Sequence, residues 1–441
     1  MSNERWSHST ETIKPELMPR TRDPYRWVVF AIVSLVYFLA YFHRMSTSVI
    51  VPDLLDAFQI DATALGFMSS MYFYAYAFEQ PLVGYLTDRL GARRVISLWT
   101  FIAAIGCLIF GFAPTIGWAS VGRAIIGFGV GGVYVPAVKA FSQWFEEREF
   151  STTIGLFMAL GNMGGLVATT PLVWMTQAFN WRVSFYIIAG ITLFFALISF
   201  FLMRDYTQVR SPLGLPPVSE KPQLRTDSPS IASVLISYRF WVYGGVLLGI
   251  FGTYYTLQGL WATPFLMSRF GMEVTSASEI NMLIPLGFIV GSPLWGWLGG
   301  RVFRNKVLLL ISLLAIMSVV WVELIIYDVP LGIAGVMIAM FLAGCAAGGV
   351  SAIIWTLIRE STPASVLGLT TGLLNLLPIL GVAIFQFWTG AILDRVGRVD
   401  GIYPPAAYQS AFSLCLAVTV VCLVITLITR KKLLRESRSI R

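Results

Sequence analysis

Four charged side chains lie deep inside otherwise apolar stretches of this chain: Arg44, Glu79, Arg123 and Lys139, with His43 directly beside the first. A charge near the centre of a bilayer costs about 2.5–3.5 kcal/mol on insertion scales, so each one in a membrane-crossing stretch is a functional hypothesis. Arg44 is the sharpest case. A guanidinium group grips a carboxylate or a phosphate with two parallel hydrogen bonds, and no acid in the same stretch lies deep enough to neutralise it. The structural alternative is an arginine paired with a carbonyl or with a hydroxyl of Ser46, Thr47 or Ser48. Glu79 is the deep acid of the sequence. A carboxylate whose surroundings switch between apolar and cationic takes up and releases a proton; the alternative is a permanent ion pair with Lys139, at a similar depth. His43 titrates near neutrality in water, but it points to a different helix face from Arg44, which favours packing. Arg123 reads as structural ahead of substrate-binding.

Positioning such groups requires membrane helices. The 441 residues are 56% hydrophobic and 12% charged, about half the charged share of a soluble domain. Apolar runs of roughly 20 residues recur along the whole chain, each long enough to cross about 30 Å of hydrocarbon, and lipid offers the backbone no partners outside a helix. Spans are predicted at 27–51, 64–86, 94–113, 116–143, 151–174 and 183–203, then at 240–263, 276–299, 306–327, 331–356, 366–392 and 407–429. The expected fold is all-α, with twelve transmembrane helices in two six-helix bundles, 27–203 and 240–429. A tail (1–26), a linker (204–239) and a basic tail (430–441) complete it. The linker carries Pro212, Pro216, Pro217, Pro222 and Pro229 among polar residues, the composition of a solvated segment. The first run lacks a small-residue cleavage site and is expected to be a retained helix.

Of the 31 Lys and Arg, 24 fall on the tails, the linker and alternate loops, whereas the opposite loops hold Arg182, Arg269, Arg395 and Arg398. The positive-inside rule then puts both termini in the cytoplasm. The net charge of +8 is explained by this topology and needs no nucleic acid. Cys107, Cys345, Cys415 and Cys422 all lie in apolar segments, with no disulfide or metal spacing. No cofactor or metal is expected. The halves repeat: Gly131-Gly132-Val133 corresponds to Gly348-Gly349-Val350, and Gly155 with Asn162 to Gly368 with Asn375.

After the second span stands Gly84-Tyr-Leu-Thr-Asp88-Arg89-Leu-Gly91-Ala-Arg93-Arg94, which resembles the cytoplasmic loop signature of the major facilitator superfamily. The resemblance covers all twelve spans and implies alternating access, with Gly84, Asp88, Arg89, Gly91, Arg93 and Arg94 as a conformational latch. The counterpart Gly296-Trp-Leu-Gly-Gly300-Arg301 has lost the acid. Within the superfamily, Tyr41-Phe-His43-Arg44 followed by Pro52-Asp-Leu54 is similar to the organophosphate antiporters and anion:cation symporters, which carry a substrate-linked arginine at the position of Arg44. Gln80, Lys139 and Trp144-Phe145 with Glu147-Arg148 match further. Thr256 stands where phosphate antiporters have a second arginine, which weakens phosphate esters as substrates. Gly161-Asn162-Met163-Gly164-Gly165 lacks the proline of drug antiporters.

The implied function is a secondary active transporter of a small organic anion, driven by a proton or by exchange. Its expected substrate contacts are Arg44, Lys139, Gln80, Tyr41, Gln258 and Asn375, with Glu79 in coupling. Gln258, Asn375, Gln386, Tyr254 and Tyr255 are equally readable as helix packing; Phe67, Tyr72, Tyr74 and Tyr76 as facing lipid or stacking on substrate. The alternatives are an efflux pump for drugs or metabolites and a transporter-like membrane sensor. The chain holds no nucleotide-binding loop, metal cluster or nucleophilic triad, so it is not expected to be an enzyme. Its partners are expected to be a small anionic molecule and the bilayer of a bacterial inner membrane, with the monomer as the working unit.

Overall fold

The computed structural model describes residues 24–205, 234–303, 305–326, 332–362, 364–399 and 402–437, so most of the expected linker and the first 23 residues lie outside it. It is all-helical. Helix α1 (Tyr25–Met45) passes through one 3-10 turn, Ser48–Ile50, into α2 (Val51–Phe58). The break has a local cause: Pro52 has no N–H for the preceding turn, and the β-branched Thr47, Val49, Ile50 and Val51 crowd it. Arg44 therefore stands in the last turn of α1, in the middle of a 34-residue crossing element.

Helix α3 (Ala62–Leu90) starts at Asp61, whose carboxylate accepts from the Ala64 N–H at 2.7 Å, a normal N-cap. It stops at Gly91, whose φ of +84° suits a residue without Cβ. Then come α4 (Ala92–Phe112), α5 (Ile116–Gly131), α6 (Tyr134–Trp144), α7 (Glu147–Val167) and α8 (Thr170–Leu202). α8 turns back on itself at Asn180, a residue type that accepts positive φ. The second half begins with α9 (Tyr238–Val246), α10 (Gly252–Thr256) and α11 (Ala262–Phe270), joined through two π-helical stretches, Leu247–Phe251 and Leu257–Trp261. It continues with α12 (Val274–Asn281), α13 (Leu283–Arg301), α14 (Lys306–Ile325), α15 (Gly332–Ser361), α16 (Ala364–Val396) and α17 (Pro405–Ser437). Among the described residues, ten helical elements are long and apolar enough to cross a membrane, and Thr152–Val167 is a shorter apolar helix. α17 runs past the expected end at 429, because Arg430, Lys431, Lys432 and Leu433 are good helix formers and no Gly or Pro stops it.

The internal repeat has a packing counterpart. A methyl group added at Gly127 would sit 2.0 Å from the Tyr72 carbonyl oxygen, and one at Gly344 would sit 1.8 Å from that of Ile284. Each half thus uses a small residue at the same repeat position to bring two helices into backbone contact.

The two halves meet unevenly. The described hydrogen bonds between them cluster toward one end of the bundle, around Asp394: Ser48 with Thr263 (3.3 Å), Thr170 with Ser278 (3.0 Å), Gln177 to Thr275 (2.9 Å), Ser70 to the Ala383 carbonyl (2.7 Å), and a group around Ala62 and Thr63. α3 and α16 touch through backbone there: a Cβ on Gly66 would lie 2.3 Å from the Gln386 carbonyl oxygen, and one on Gly390 would lie 2.3 Å from that of Ala62. At the other end, marked by Asp88, Gly84 of α3 and Gly372 of α16 each face open space. The two helices are in backbone contact at the Asp394 end, and these two glycines toward the Asp88 end make no such contact.

Candidate functional site

Arg44 lies at the seam between the halves. Its guanidinium carbon is 4.6 Å from the ring centroid of Tyr41, 5.5 Å from that of Tyr76 and 5.7 Å from that of Tyr255. Tyr41 is one turn back on α1, Tyr76 is on α3, and Tyr255 belongs to α10, between the two π stretches. Ring faces carry negative quadrupole density, so this cage stabilises a cation without neutralising it. No carboxylate pairs with Arg44 among the described residues, its Nε has no hydrogen-bond partner, and the residue is only half-buried. Its other donors reach the hydroxyls of Tyr72 and Tyr255.

Two amides lie near the backbone that follows the Arg44 side chain. The Gly259 position is within 3.7 Å of the Arg44 carbonyl oxygen, 3.3 Å of Met45 Sδ and 4.0 Å of Gln386 Nε2, while Gly165 is within 3.5 Å of Met45 Cγ and 3.8 Å of Gln258 Nε2, measured from a Cβ built on each glycine. Gln258 is buried with an unpartnered Oε1, and Gln386 is fully buried with neither amide atom partnered. Buried polar groups are nearly always satisfied in proteins. Both amides lie close to the Arg44–Met45 backbone at the seam, with polar atoms left for a further partner. Gln258 owes its position to the second π stretch, an irregularity that recurs at functional sites.

Arg123 is also intramembrane but differently used. It is fully buried, donates from Nη1 to the His43 carbonyl at 2.8 Å and lies 4.8 Å from the Tyr72 ring centroid. His43 is buried with Nε2 3.0 Å from Thr192 Oγ1, a packing position.

Glu79 is fully buried within the first half. Trp99 Nε1 donates to its Oε2 at 2.8 Å, and Gln80 Nε2 donates to its Oε1 at 2.8 Å and to the Gly131 carbonyl at 3.2 Å. The expected alternative partner, Lys139, is elsewhere: its Nζ donates to Asp88 at 2.7 Å and to the Thr87 carbonyl at 3.0 Å. Thr87 lies eleven residues beyond Tyr76 on α3, about 16 Å along the axis, so Lys139 is not gathered with Arg44. Its long apolar stem carries the ammonium out toward the loop. Gln80 is engaged with Glu79, and Asn375 lies eleven residues before Gln386 on α16, a similar distance from the amide pair.

At the Asp88 end, Asp88 itself is exposed apart from the Lys139 contact. Gly91 packs on Asp205, which also accepts from the Arg93 N–H at 3.0 Å; Arg93 Nε donates to the Phe200 carbonyl at 2.8 Å. Arg89 lies over the Tyr85 ring, and Arg94 is exposed. These contacts of the signature loop all stay inside the first half. The sequence reading did not single out Asp205, Trp99 or the enclosure of Arg44 by Tyr76 and Tyr255. Tyr72 and Tyr76, for which lipid was one reading, are buried, whereas Phe67 and Tyr74 are the exposed members of that set.

A family model for the Major Facilitator Superfamily matches residues 33–377, and the chain belongs to that superfamily. The relatives it matches are named as transporters, the class the sequence reading expected in place of an enzyme. It is 24% identical over 285 residues to a probable sulfoacetate transporter of Cupriavidus necator, a match that covers 64% of this chain and 66% of the relative, just under two thirds of that protein's length. It is 23% identical over 424 residues to a D-galactonate transporter of Escherichia coli O6:H1, covering 90% of this chain and 95% of that one. In fold it is similar to a bacterial homolog of the human lysosomal transporter Spinster, with a TM-score of 0.69 and 17% identity over 95% of this chain and 99% of the other.

Proposed function

We propose that this chain is a secondary transporter of small organic anions and that Arg44 receives the anionic group of the substrate. The observation that carries this reading is the caged guanidinium with no acid beside it. An uncompensated cation at that depth is costly unless water or a ligand reaches it, and its planar fork matches a carboxylate or sulfonate. Gln258 and Gln386 supply both donors and acceptors for hydroxyl or carbonyl groups on the rest of the molecule. The names of the relatives, for sulfoacetate and D-galactonate, support the same class.

The protein works by alternating access as a monomer. Counting α3, and joining α7 to the part of α8 before Asn180 as one crossing, gives twelve crossings in two bundles of six. The distribution of Lys and Arg favours the Asp88 end and both termini on the cytoplasmic side of a bacterial inner membrane. Glu79 carries the coupling proton: its described partners, Trp99 and Gln80, are neutral, so no cation beside it fixes the carboxylate form.

The test is titration calorimetry of the purified protein with D-galactonate and with sulfoacetate. Arg44→Ala is expected to abolish detectable binding, a loss of more than about 100-fold, and Arg44→Lys to weaken it at least about tenfold because the fork is lost while the charge stays. Unchanged affinity in Arg44→Ala, or binding of organic cations alone, overturns the reading.

A further inference from the structure

One segment occurs twice in this chain. Gly84-Tyr-Leu-Thr-Asp88-Arg89-Leu-Gly91 ends α3, and Gly390-Ala-Ile-Leu-Asp394-Arg395-Val-Gly397 ends α16, with Gly, Asp, Arg and Gly at matching positions. Both closing glycines adopt positive φ, +84° and +85°. Because the start of α3 packs on the end of α16, the two copies lie at opposite ends of the bundle.

Their conditions differ. Asp88 is largely exposed and rests on Lys139 of its own half. Asp394 reaches across to the other half and accepts from the Ala62 N–H at 2.9 Å, the Thr63 N–H at 2.6 Å and the Thr63 hydroxyl. The first-turn N–H groups of a helix have no partner within it, and an anion there is favoured by the aligned peptide dipoles. Asp61 satisfies Ala64, leaving Ala62 and Thr63 for the visitor. Tyr403 donates its hydroxyl to Asp394, and its oxygen accepts from the Ala62 N–H at 2.8 Å. Burial and the Asp394 carboxylate push this phenol up to about 12, so it remains a donor at neutral pH. Arg398 lies over the Tyr403 ring and donates to the Ile60 carbonyl, again across the seam.

We propose that Asp394, with Tyr403 and Arg398, is a latch that holds the Asp394 end shut by capping α3 from the opposite half, and that this end opens only when the cap is released. The proposal rests on the alternating-access reading above. The exposed copy at Asp88 is the counterpart whose engagement favours the opposite state, so the two aspartates act in opposition. A static cap would instead stabilise α3 equally in every conformation.

The two are separated by thiol labelling at Ser278→Cys in nanodiscs. Ser278 is fully buried against Thr170 of the other half, and the four native cysteines are all buried. Asp394→Asn is expected to raise the labelling rate about tenfold, a shift that a change of roughly 1.4 kcal/mol in the two-state balance produces, while Asp88→Asn lowers it. An unchanged rate in folded Asp394→Asn overturns the latch, as does a rise in both variants. Should Asp394→Asn fail to fold, Thr63→Val, which removes one donor at constant volume, replaces it with the same expected direction and the same overturning result. No substrate enters the measurement, so failure of anion binding at Arg44 and failure of the latch are seen separately.

Discussion

Arg44 and Glu79 are both intramembrane charges without an opposite charge beside them, and they are housed in different ways. Arg44 stands at the seam, walled by rings from both halves and left half open. Glu79 is sealed inside one half, held by Trp99 and Gln80. A group at the seam senses the relative position of the halves and can meet a solute. A group inside one half, out of reach of a solute, is under the proposed function left to exchange only a proton. The comparison predicts that binding and coupling separate by mutation.

The largest effect that tests this separation is in Glu79→Gln. Accumulation driven by a pH gradient is expected to fall to background, while anion affinity by calorimetry stays within about twofold and exchange across the membrane persists. Loss of binding in this variant would merge the two regions into one. Next is Trp99→Phe, which keeps an aromatic ring but loses the pyrrole ring and, with it, the donor to a buried carboxylate. It should cost about 1–3 kcal/mol of stability, seen as a lower thermal midpoint, with anion affinity unchanged. Tyr76→Leu should do the reverse: stability nearly constant and affinity down about fivefold, the worth of one cation–π contact near 1 kcal/mol. The smallest effect belongs to Lys139→Ala. Its partner Asp88 is mostly exposed, so a stability change below about 1 kcal/mol is expected, with unaltered binding; a loss of affinity like that of Arg44→Ala would return Lys139 to the substrate site.

Charge inside an apolar run is a one-dimensional signal, so Arg44 and Glu79 were legible from sequence. The enclosure of Arg44 was not. Its rings come from α1, α3 and α10, and only the packing of the halves decides that Tyr76 faces inward while Tyr74, two residues earlier, faces out. Lys139 was misleading for a different reason: its backbone depth matches Glu79, but its chemistry sits at the far end of a flexible stem. Asp394 had a signal that a search for repeats would have found, since its spacing to Gly390, Arg395 and Gly397 matches that of Asp88 to Gly84, Arg89 and Gly91. The helix boundaries were read from hydropathy, which does not see a helix that continues into polar residues, as α17 does, or one that bends without a loop, as α1 and α2 do.

The π stretch at Leu257–Trp261 has a mechanical consequence. A π turn is one residue more than an α turn needs, so it behaves as a register defect that can close without refolding the helix. Closing it would rotate the helix on one side of the defect against the other by about 100°, the angle of one residue. Gln258 lies inside the defect, and its carbonyl accepts from Asn281 Nδ2 at 3.3 Å, an amide that also lies 3.3 Å from Ser48 Oγ in the other half. A screw of one residue would therefore turn the Gln258 side chain to a new face and loosen a bridge across the seam in the same movement, through a single turn of backbone.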